Sequence, residues 1–340
     1  MLRNSNRAPD RAVRPTSVVS VEPVKFSPRL GTQPATTLRS TLGTTFYGAL
    51  IGLVELVPGV SGGTVALVLG VFDRVVASSN HLIRGLARIV LRRDRQGTGS
   101  RLAGVEWTLI LPLAVGMFVA LFALSKPLHT FVDTQPTLSS ALFLGMVAAS
   151  LLVPITMARD AGPSTTSSRV LGPVAVCAVA AVVFVLLGRP SLQVEDPSGW
   201  VVVLSGTVAV CALALPGLSG SFILLTLGMY EPTLEAVSTR DGGYLLLFIA
   251  GAALGLVSVV QALSYLLRVH RRATLLVATG LILGSLRALW PWQDGSALLA
   301  PDDAWAVPLL ACVGGAALVL LLWWRDRRSV RPAILSTRAR

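Results

Sequence analysis

The sequence contains few charged residues: Asp, Glu, Lys and Arg make up 14% of the 340 residues, against 53% apolar residues. A soluble domain carries about 25% charged residues, so this composition excludes an ordinary water-soluble enzyme. The apolar residues come in blocks of about twenty, the length that an α-helix needs to cross a bilayer. The composition therefore predicts an integral membrane protein.

Cysteine and histidine are also scarce, with three residues of each. Cys177, Cys211 and Cys312 all fall within apolar blocks, and their spacing matches neither a disulfide framework nor a metal site. The histidines lie in or beside predicted loops and form no cluster. We therefore expect no cofactor and a packing role for the cysteines.

The N-terminal segment, residues 1–40, lacks the apolar stretch of a secretory signal peptide. It is polar and basic, and we expect a disordered cytoplasmic tail. The net charge of +12 comes almost entirely from Arg in the tails and between the apolar blocks. Basic residues there hold loops on the cytoplasmic side, so the charge indicates topology rather than binding to nucleic acid.

One motif, by contrast, is present twice. Residues 58–73 (motif 1) read PGVSGGTVALVLGVFD, and residues 216–231 (motif 2) read PGLSGSFILLTLGMYE. A Pro-Gly break between apolar runs leaves backbone groups unpaired, and a membrane tolerates this only where the break is buried in protein or lines a cavity. Two such breaks in corresponding positions of two halves indicate a transporter site at a repeat interface.

The charges between the apolar blocks predict how the chain crosses the membrane. Loop 74–101 carries seven arginines against one acid, so this loop and the basic N-terminal tail are both expected to be cytoplasmic. Segment 43–73 must then enter and return as a re-entrant hairpin broken at Pro58-Gly59. By alternation along the chain, segment 199–230 is a second re-entrant hairpin that enters from the opposite side.

The predicted fold is an all-α integral membrane protein, an inverted-topology repeat with two re-entrant helical hairpins and about six full transmembrane helices. Repeat 1 covers residues 41–158, and repeat 2 covers residues 199–290. A C-terminal cytoplasmic tail follows at residues 325–340. The full spans are expected at residues 106–125, 138–158, 170–188 (linking the repeats), 243–267, 273–290 and 304–324 (the last span).

Paired glycines support the repeat. Gly116 and Gly145 are 29 residues apart, as are Gly251 and Gly280. Beyond the two motifs, these pairs place equivalent spans at equivalent positions in the two halves. The acids that end the motifs, Asp73 and Glu231, are expected at the membrane interface.

Both motifs carry groups that suit an anion. A helix that restarts after a break presents free N–H groups and the positive end of its dipole. Gly62 and Gly63 let a ligand approach the backbone, and the hydroxyl groups of Ser61 and Thr64, or of the serines in motif 2, add donors suited to a phosphate. The alternative is that these small residues only allow two broken helices to pack tightly.

Two charged residues lie within apolar runs. Glu55 precedes Pro58 by three residues, and Arg287 lies near the end of a predicted span. Each costs about 2.5–3.5 kcal/mol at the centre of a span, so each is expected to face a partner or a wet cavity. We interpret Glu55 as a protonatable coupling residue and Arg287 as an anchor for an anionic head group. The alternatives are that the two residues pair with each other or that they snorkel.

The segments GALIGLVELVPGVSGGTVALVLGVFDRVV, ALPGLSGSFILLTLGMYEPTL and GLILGSLRALWP together resemble the bacterial polyprenyl-phosphate transporter family, over residues 42–292. The resemblance implies return of undecaprenyl phosphate from the outer to the inner leaflet of the bacterial plasma membrane by a multi-pass protein with both termini cytoplasmic. It also implies two half-sites that match the family motifs. They consist of Pro58, Gly59, Ser61, Gly62, Gly63 and Thr64, and of Pro216, Gly217, Ser219, Gly220 and Ser221.

The predicted transport has an electrical cost, and an enzyme is the main alternative to it. An inside-negative potential opposes inward movement of an anion by about 2.3 kcal/mol per charge per 100 mV, so we expect a proton to move with the lipid, carried by Glu55 or by the phosphate itself. The main alternative is an undecaprenyl-diphosphate phosphatase, since GLVELVPGVSGG resembles that family's first motif. The phosphatase family implies a His and an Arg where Thr64 and Gly220 stand here, and cleavage without them lacks a nucleophile and a charge clamp. We therefore expect a transporter and no enzyme; a transporter of another anion is a further alternative.

Overall fold

A computed structural model describes residues 38–56, 61–90, 102, 104–161, 166–189, 194, 197–295 and 297–337. The predicted N-terminal tail up to residue 37, Pro58, Gly59 and the basic residues of 91–101 lie outside these described residues. The α-helices are, in chain order, α1 (Leu38–Glu55), α2 (Gly62–Val68), α3 (Phe72–Val90), α4 (Trp107–Thr134), α5 (Pro136–Ser150), α6 (Leu152–Asp160), α7 (Thr166–Leu187), α8 (Gly199–Ala214), α9 (Gly220–Thr226), α10 (Tyr230–Thr239), α11 (Gly242–Val269), α12 (Arg271–Ser285) and α13 (Ala306–Thr337). A 3-10 helix (Leu286–Leu289) and a small antiparallel pair, β1 (Gln293–Asp294) and β2 (Ala297–Leu298), lie between α12 and α13.

Six of the described helical segments are long and apolar enough to cross a membrane. Each coincides with one of the predicted full spans, so the prediction of an all-α membrane protein with about six spanning helices is confirmed. The segments are Trp107–Thr134, Pro136–Asp160, Val170–Leu187, Gly242–Val269, Arg271–Leu289 and Ala306–Trp324. Their outer faces carry exposed apolar side chains such as Phe118, Phe122 and Leu310, which suits contact with lipid rather than water.

Several segments that the sequence places in loops are helical. Residues of the predicted loop 74–101 form most of α3, residues between the predicted segments 199–230 and 243–267 form most of α10, and α13 continues beyond residue 324 to Thr337. Helix α3 buries an apolar face, while the side chains of Arg74 and Arg84 remain exposed. Such an amphipathic pattern escapes a search for uninterrupted apolar blocks, because its apolar residues recur with the helical period.

The two motifs occupy the same place in the same series of elements. In the first half α1 ends at Glu55 and α2 begins at Gly62, after a first break of which the structure describes Leu56 and Ser61, and a turn leads from α2 to α3. In the second half α8 ends at a break (residues 215–219), α9 follows, and a turn leads to α10. Both restarted helices, α2 and α9, contain seven residues. The chain bends by 118° between α2 and α3.

The Leu-Gly pair that recurs in the motifs forms the same turn each time. Gly70 and Gly228 have φ angles of 68° and 69°, in the left-handed region that favours glycine. After α2, the N–H of Val71 donates to the carbonyl of Ala66 at 3.0 Å, and the equivalent bond after α9 measures 2.9 Å. This six-to-one bond is the Schellman ending of a helix, so the repeated sequence specifies a repeated helix stop.

The paired glycines have matching roles in helix packing. A Cβ atom at Gly116 would collide with a backbone carbonyl of α1, and one at Gly251 with a backbone carbonyl of α8. A Cβ atom at Gly145 would collide with the backbone of α13, and one at Gly280 would crowd the backbone of α7. The helix pairs α1–α4 and α8–α11 therefore pack closely in the same way, as do α5–α13 and α7–α12. The orientation of the two halves in the membrane stays a prediction.

Helix α2 lies inside the largest apolar cluster of the described chain. Leu67 of α2 is 2% exposed and packs in one cluster with Ile51 of α1, Leu113 of α4, Val153 of α6 and Leu263 of α11. Both halves of the chain thus surround the restarted helix. This burial brings the first break next to the second.

Candidate functional site

The two breaks contact each other through a pair of hydrogen bonds. The Ser61 hydroxyl donates to the Leu215 carbonyl at 3.1 Å, and the Gly217 N–H donates to the Thr64 hydroxyl at 2.9 Å. Ser61 is 1% exposed and Thr64 3% exposed. Motif 1 supplies both side chains, and the second break (residues 215–219) supplies both backbone groups. The side chains thereby satisfy groups that the second break leaves without a helical partner.

Glycine allows the two backbones to approach. Gly63 lies beside the second break, where a Cβ atom would make ordinary van der Waals contact, 3.5 Å from the Pro216 nitrogen and 3.6 Å from the Ala214 carbonyl; the tight contact is at Gly217. Gly217 has a φ of 91°, and a Cβ atom there would lie 2.5 Å from the backbone nitrogen of Ile282 on α12. A side chain at Gly217 would therefore be strained and would also clash.

Glu55 lies beside the first break and holds the start of α2. Its Oε1 atom accepts a hydrogen bond from the Gly62 N–H at 2.8 Å, and the carboxyl group is partly buried. The ion pairs between described residues include Arg74 with Glu106 and Arg271 with Asp73, but no pair of Glu55 with Arg287. The alternative that Glu55 and Arg287 neutralise each other is therefore not seen in the described part of the chain.

Arg287 lies beside the site, against α7. It belongs to the 3-10 helix, and its guanidinium carbon stands 4.5 Å from the centre of the Phe184 ring, a cation–π contact. The same guanidinium covers Gly188, where a Cβ atom would clash with it. The adjacent Ala288 lines a small cavity that Ser219 also lines. Arg287 is thus a neighbour of the second break.

The other predicted site residues of motif 2 are Ser219, Gly220 and Ser221, which follow Gly217 along the chain. The hydroxyls of Ser219 and Ser221 are 2.9 Å apart; Ser219 is buried and Ser221 is exposed. Gly220 packs against α8, where a Cβ atom would lie 2.6 Å from the Ala209 carbonyl. The cavity at Ser219 measures about 10 Å³, which is about the room that one water molecule needs.

The structure therefore brings together six of the predicted site residues: Ser61, Gly62, Gly63, Thr64, Pro216 and Gly217. Ser219, Gly220, Ser221 and Arg287 flank this cluster, while Pro58 and Gly59 lie outside the described residues. In the described ranges, no group of three or more His, Cys, Asp or Glu residues is placed to hold a metal ion. The chemistry available at the site is hydrogen bonding by hydroxyl and backbone N–H groups and proton exchange by Glu55.

Two further features could not be found from the motifs. Arg271, at the start of α12, forms an ion pair of 2.6 Å with Asp73, at the start of α3, and thereby joins the two halves. A cavity of about 270 Å³ lies beside Pro216 between α11 and α12. The sequence places Arg271 in a basic loop and gives no sign of its partner. The apolar residues that line the cavity cannot be distinguished in the sequence from apolar residues that face lipid.

Comparison with known proteins identifies the family of the chain. Residues 51–304 match the VCA0040-like protein family, described as undecaprenyl phosphate translocase-like. A polyprenyl-phosphate transporter of Vibrio cholerae is 34% identical over 269 residues, which cover 79% of this chain and 84% of the relative. A polyprenyl-phosphate transporter of Staphylococcus aureus is 26% identical over 287 residues, or 81% of this chain and 93% of the relative. No solved structure matches significantly. The family match covers most of the chain, including both motifs, and shows that the chain belongs to the undecaprenyl phosphate translocase-like family.

Proposed function

We propose that this protein moves undecaprenyl phosphate from the outer to the inner leaflet of the bacterial plasma membrane, so that the carrier lipid can be used again. Polyprenyl phosphate as the transported lipid is supported by the names of both relatives. The observation that carries the proposal is the buried contact between the two breaks, through Ser61 with Leu215 and Gly217 with Thr64. Buried polar groups at a break in two apolar helices are where a transporter binds a polar head group.

The phosphate would bind by exchanging hydrogen bonds. The Ser61 hydroxyl, the Gly217 N–H and the Gly62 N–H each donate to an acceptor within the protein. A phosphate oxygen can take the place of these acceptors, and bonds to an ionised acceptor are roughly twice as strong as neutral ones. The arrangement described above is then the unloaded state, in which the two half-sites satisfy each other.

Protonation of Glu55 would couple phosphate binding at this site to the movement of a proton. Its carboxylate and the phosphate would compete for the Gly62 N–H, and two anions so close would repel each other. A protonated carboxyl group carries no charge and is a weaker acceptor, so protonation of Glu55 releases the N–H to the phosphate. The proton also offsets the membrane potential, which opposes inward movement of an anion. Transport coupled to proton entry follows from this competition.

An inverted repeat would let the two halves exchange roles during transport. The same order of elements, the matching helix stops at Gly70 and Gly228 and the matching close contacts of the paired glycines all support such a repeat. In this proposal segments 43–73 and 199–230 are re-entrant hairpins that enter from opposite sides, and both termini are cytoplasmic. Alternating access then consists of opening one hairpin at a time around the phosphate.

The phosphatase alternative has less support. Both relatives bear the name of a transporter, which indicates transport rather than catalysis. Thr64, which stands near the position where a phosphatase would place its histidine, accepts a hydrogen bond from Gly217 within the protein. No imidazole lies there to activate a nucleophile.

Leaflet exchange in proteoliposomes tests the proposal. A short-chain polyprenyl phosphate is placed in both leaflets, and a phosphatase added outside reports how fast inner-leaflet lipid becomes accessible. We expect the protein to accelerate exchange, and Ser61→Ala and Ser219→Ala to abolish the acceleration. Ser205→Ala is the matched control, because Ser205 is equally buried but donates only to Val202 in its own helix.

Two results would contradict the proposal. The first is no acceleration together with phosphate released from the diphosphate lipid by the protein itself, which would indicate the enzyme. The second is acceleration that both serine variants retain in full, which would place the path away from the breaks.

A further inference from the structure

The cavity beside Pro216 is an apolar groove of about 270 Å³, here called the α11–α12 groove. It opens at the outer surface of the bundle, since two of its lining residues, Leu266 and Val277, are 38% and 43% exposed. The lining is apolar along its whole length except at His270 and Thr274. The lining residues are Leu67, Phe72, Leu215, Pro216, Leu263, Leu266, Leu267, His270, Ala273, Thr274, Leu275, Val277, Ala278 and Leu281.

One end of the groove is the phosphate site. Leu215 and Pro216 line the groove, and the Leu215 carbonyl is the acceptor for the Ser61 hydroxyl. The other end is the connection between α11 and α12, at His270. Along α12 the lining extends from Ala273 to Leu281, about 12 Å at 1.5 Å per residue.

We propose that the α11–α12 groove binds the part of the isoprenoid chain that is attached to the phosphate. This inference rests on the proposed function. The isoprenoid chain is covalently attached to the phosphate. When the phosphate is bound between the breaks, the isoprenoid chain therefore needs an apolar path from the buried site to the lipid. The cavity at Ser219 cannot supply that path, because its volume of about 10 Å³ holds no more than a water molecule. The groove begins at Pro216 and opens to the surface of the bundle.

The groove also lets the protein recognise the isoprenoid chain and the phosphate head group at the same time. Leu67 and Phe72 come from the first half of the chain, and the other lining residues come from the second half. A chain lying there contacts both halves next to the bond between Ser61 and Leu215. Each methylene group that it buries adds several-fold to affinity, so the groove gives the protein a means to select a prenyl phosphate over inorganic phosphate.

Val277→Trp tests the groove, and Val257→Trp is its matched control. Val277 lines the groove, whereas Val257 lies on α11 outside it, and the two have similar exposures of 43% and 38%. The indole of Val277→Trp would fill the groove. Because Val277 and Val257 are both partly exposed on the surface of the bundle, the fold should tolerate a tryptophan at either position. Binding of undecaprenyl phosphate and of a single-isoprene prenyl phosphate is measured for each purified protein.

We expect Val277→Trp to bind undecaprenyl phosphate about tenfold or more weakly, because it displaces several buried methylene groups. Its affinity for the single-isoprene phosphate, and both affinities of Val257→Trp, should equal those of the wild type. A photoreactive diazirine in the first isoprene units should label peptides of α11 and α12 in the wild type but not in Val277→Trp.

Each other outcome has one meaning. Equal binding of undecaprenyl phosphate by Val277→Trp and the wild type would overturn the groove assignment and leave the transport proposal standing. Equal competition by a straight-chain phosphatidic acid for the labelled site would also overturn it, since the groove would then hold ordinary lipid. Wild-type protein that binds neither prenyl phosphate would overturn the proposed function itself.

Discussion

Ser61 and Thr64 bond to two backbone groups of the second break, the Leu215 carbonyl and the Gly217 N–H. The hydroxyl of Ser61 donates to one of these groups, and that of Thr64 accepts from the other. An apolar residue of the same size could do neither, and a buried unpaired group costs about 1–3 kcal/mol. The same hydroxyls are therefore needed whether or not a ligand binds, and only a measurement of transport separates the two roles.

Gly217 is the residue at which a small change should have a large effect. Its φ of 91° and its contact with Ile282 both exclude a side chain. We expect Gly217→Ala to destabilise the protein by about 1–2 kcal/mol from backbone strain, and by roughly 1–3 kcal/mol more from overpacking. Thermal unfolding in detergent measures the loss. Gly314→Ala is the control, because a Cβ atom at Gly314 meets nothing within 4 Å; an equal loss in both variants would contradict this explanation.

Glu55→Gln separates the acceptor role of this residue from its protonation. Glutamine keeps a carbonyl oxygen for the Gly62 N–H but cannot take up a proton at neutral pH. We expect wild-type exchange to speed up when the side from which the lipid leaves is made more acidic, and exchange by Glu55→Gln to be insensitive to the same gradient. A variant that responds to the gradient as the wild type does would exclude Glu55 as the coupling residue.

The sequence was sufficient to identify the polar residues of both motifs but not their partners. Ser61 and Thr64 could be selected because hydroxyl groups beside a Pro-Gly break suit an anion. The partners Leu215 and Gly217 use backbone atoms, which every residue carries, and they lie 154 and 153 positions away along the chain. Only the packing of α2 into the core sets that pairing, and no local pattern encodes it.

The helices α3 and α12 are joined at their starts by the ion pair of Asp73 with Arg271, and the second half has no equivalent pair. The residue that corresponds to Asp73 is Glu231, which is exposed. Arg271 lies nine residues before Gly280, and the residue nine before Gly145 is Pro136, which carries no charge. The two halves of the chain therefore differ at this contact.

A double-mutant cycle measures how strongly this pair holds the two halves together. The side chains of Asp73 and Arg271 are 37% and 38% exposed, so water and salt screen the pair. We expect a coupling energy of about 0.2–1 kcal/mol from the stabilities of Asp73→Asn, Arg271→Gln and the double variant. The coupling should shrink in high salt, and a coupling that does not change with salt would contradict an electrostatic origin.

The elements were predictable where their apolar pattern is continuous. The six spanning segments were identified from twenty-residue apolar blocks because a bilayer fixes their length. Helices α3 and α10 were missed because polar and charged residues alternate with apolar ones along both helices, which interrupts the apolar run. Short helices of this kind are recognised by the helical spacing of their apolar residues, which a count of loop charges ignores.

The arrangement of the chain across the membrane is a prediction from the charges between its spans. The predicted topology places Arg84 of α3 and Arg272 of α12 on the cytoplasmic side, and Glu235 of α10 and Asp294 of β1 outside. If segment 199–230 were a full span instead of a re-entrant hairpin, Glu235 would change sides. The positions of α3 and α10 relative to the membrane thus decide whether the repeat is inverted.

Cysteine labelling in whole cells tests this topology. Single cysteines replace Arg84, Arg272, Glu235 or Asp294 in a chain whose native cysteines have been removed. A membrane-impermeant thiol reagent added outside should label the cysteines that replace Glu235 and Asp294. It should label the cysteines that replace Arg84 and Arg272 only after the membrane is permeabilised. Protection of the cysteines at Glu235 and Asp294, together with labelling of the cysteine at Arg272 from outside, would contradict the second re-entrant hairpin.

The claim that both breaks form one phosphate site is tested most directly by measuring the binding of a short-chain polyprenyl phosphate to purified protein. Wild type, Ser61→Ala, Ser219→Ala and the double variant are titrated, and the stoichiometry and affinity are determined for each. One shared site predicts one lipid per protein and losses of binding energy that are not additive, because each serine acts on the same phosphate. Two lipids per protein, or losses that add, would show that the breaks act separately and would contradict the mechanism.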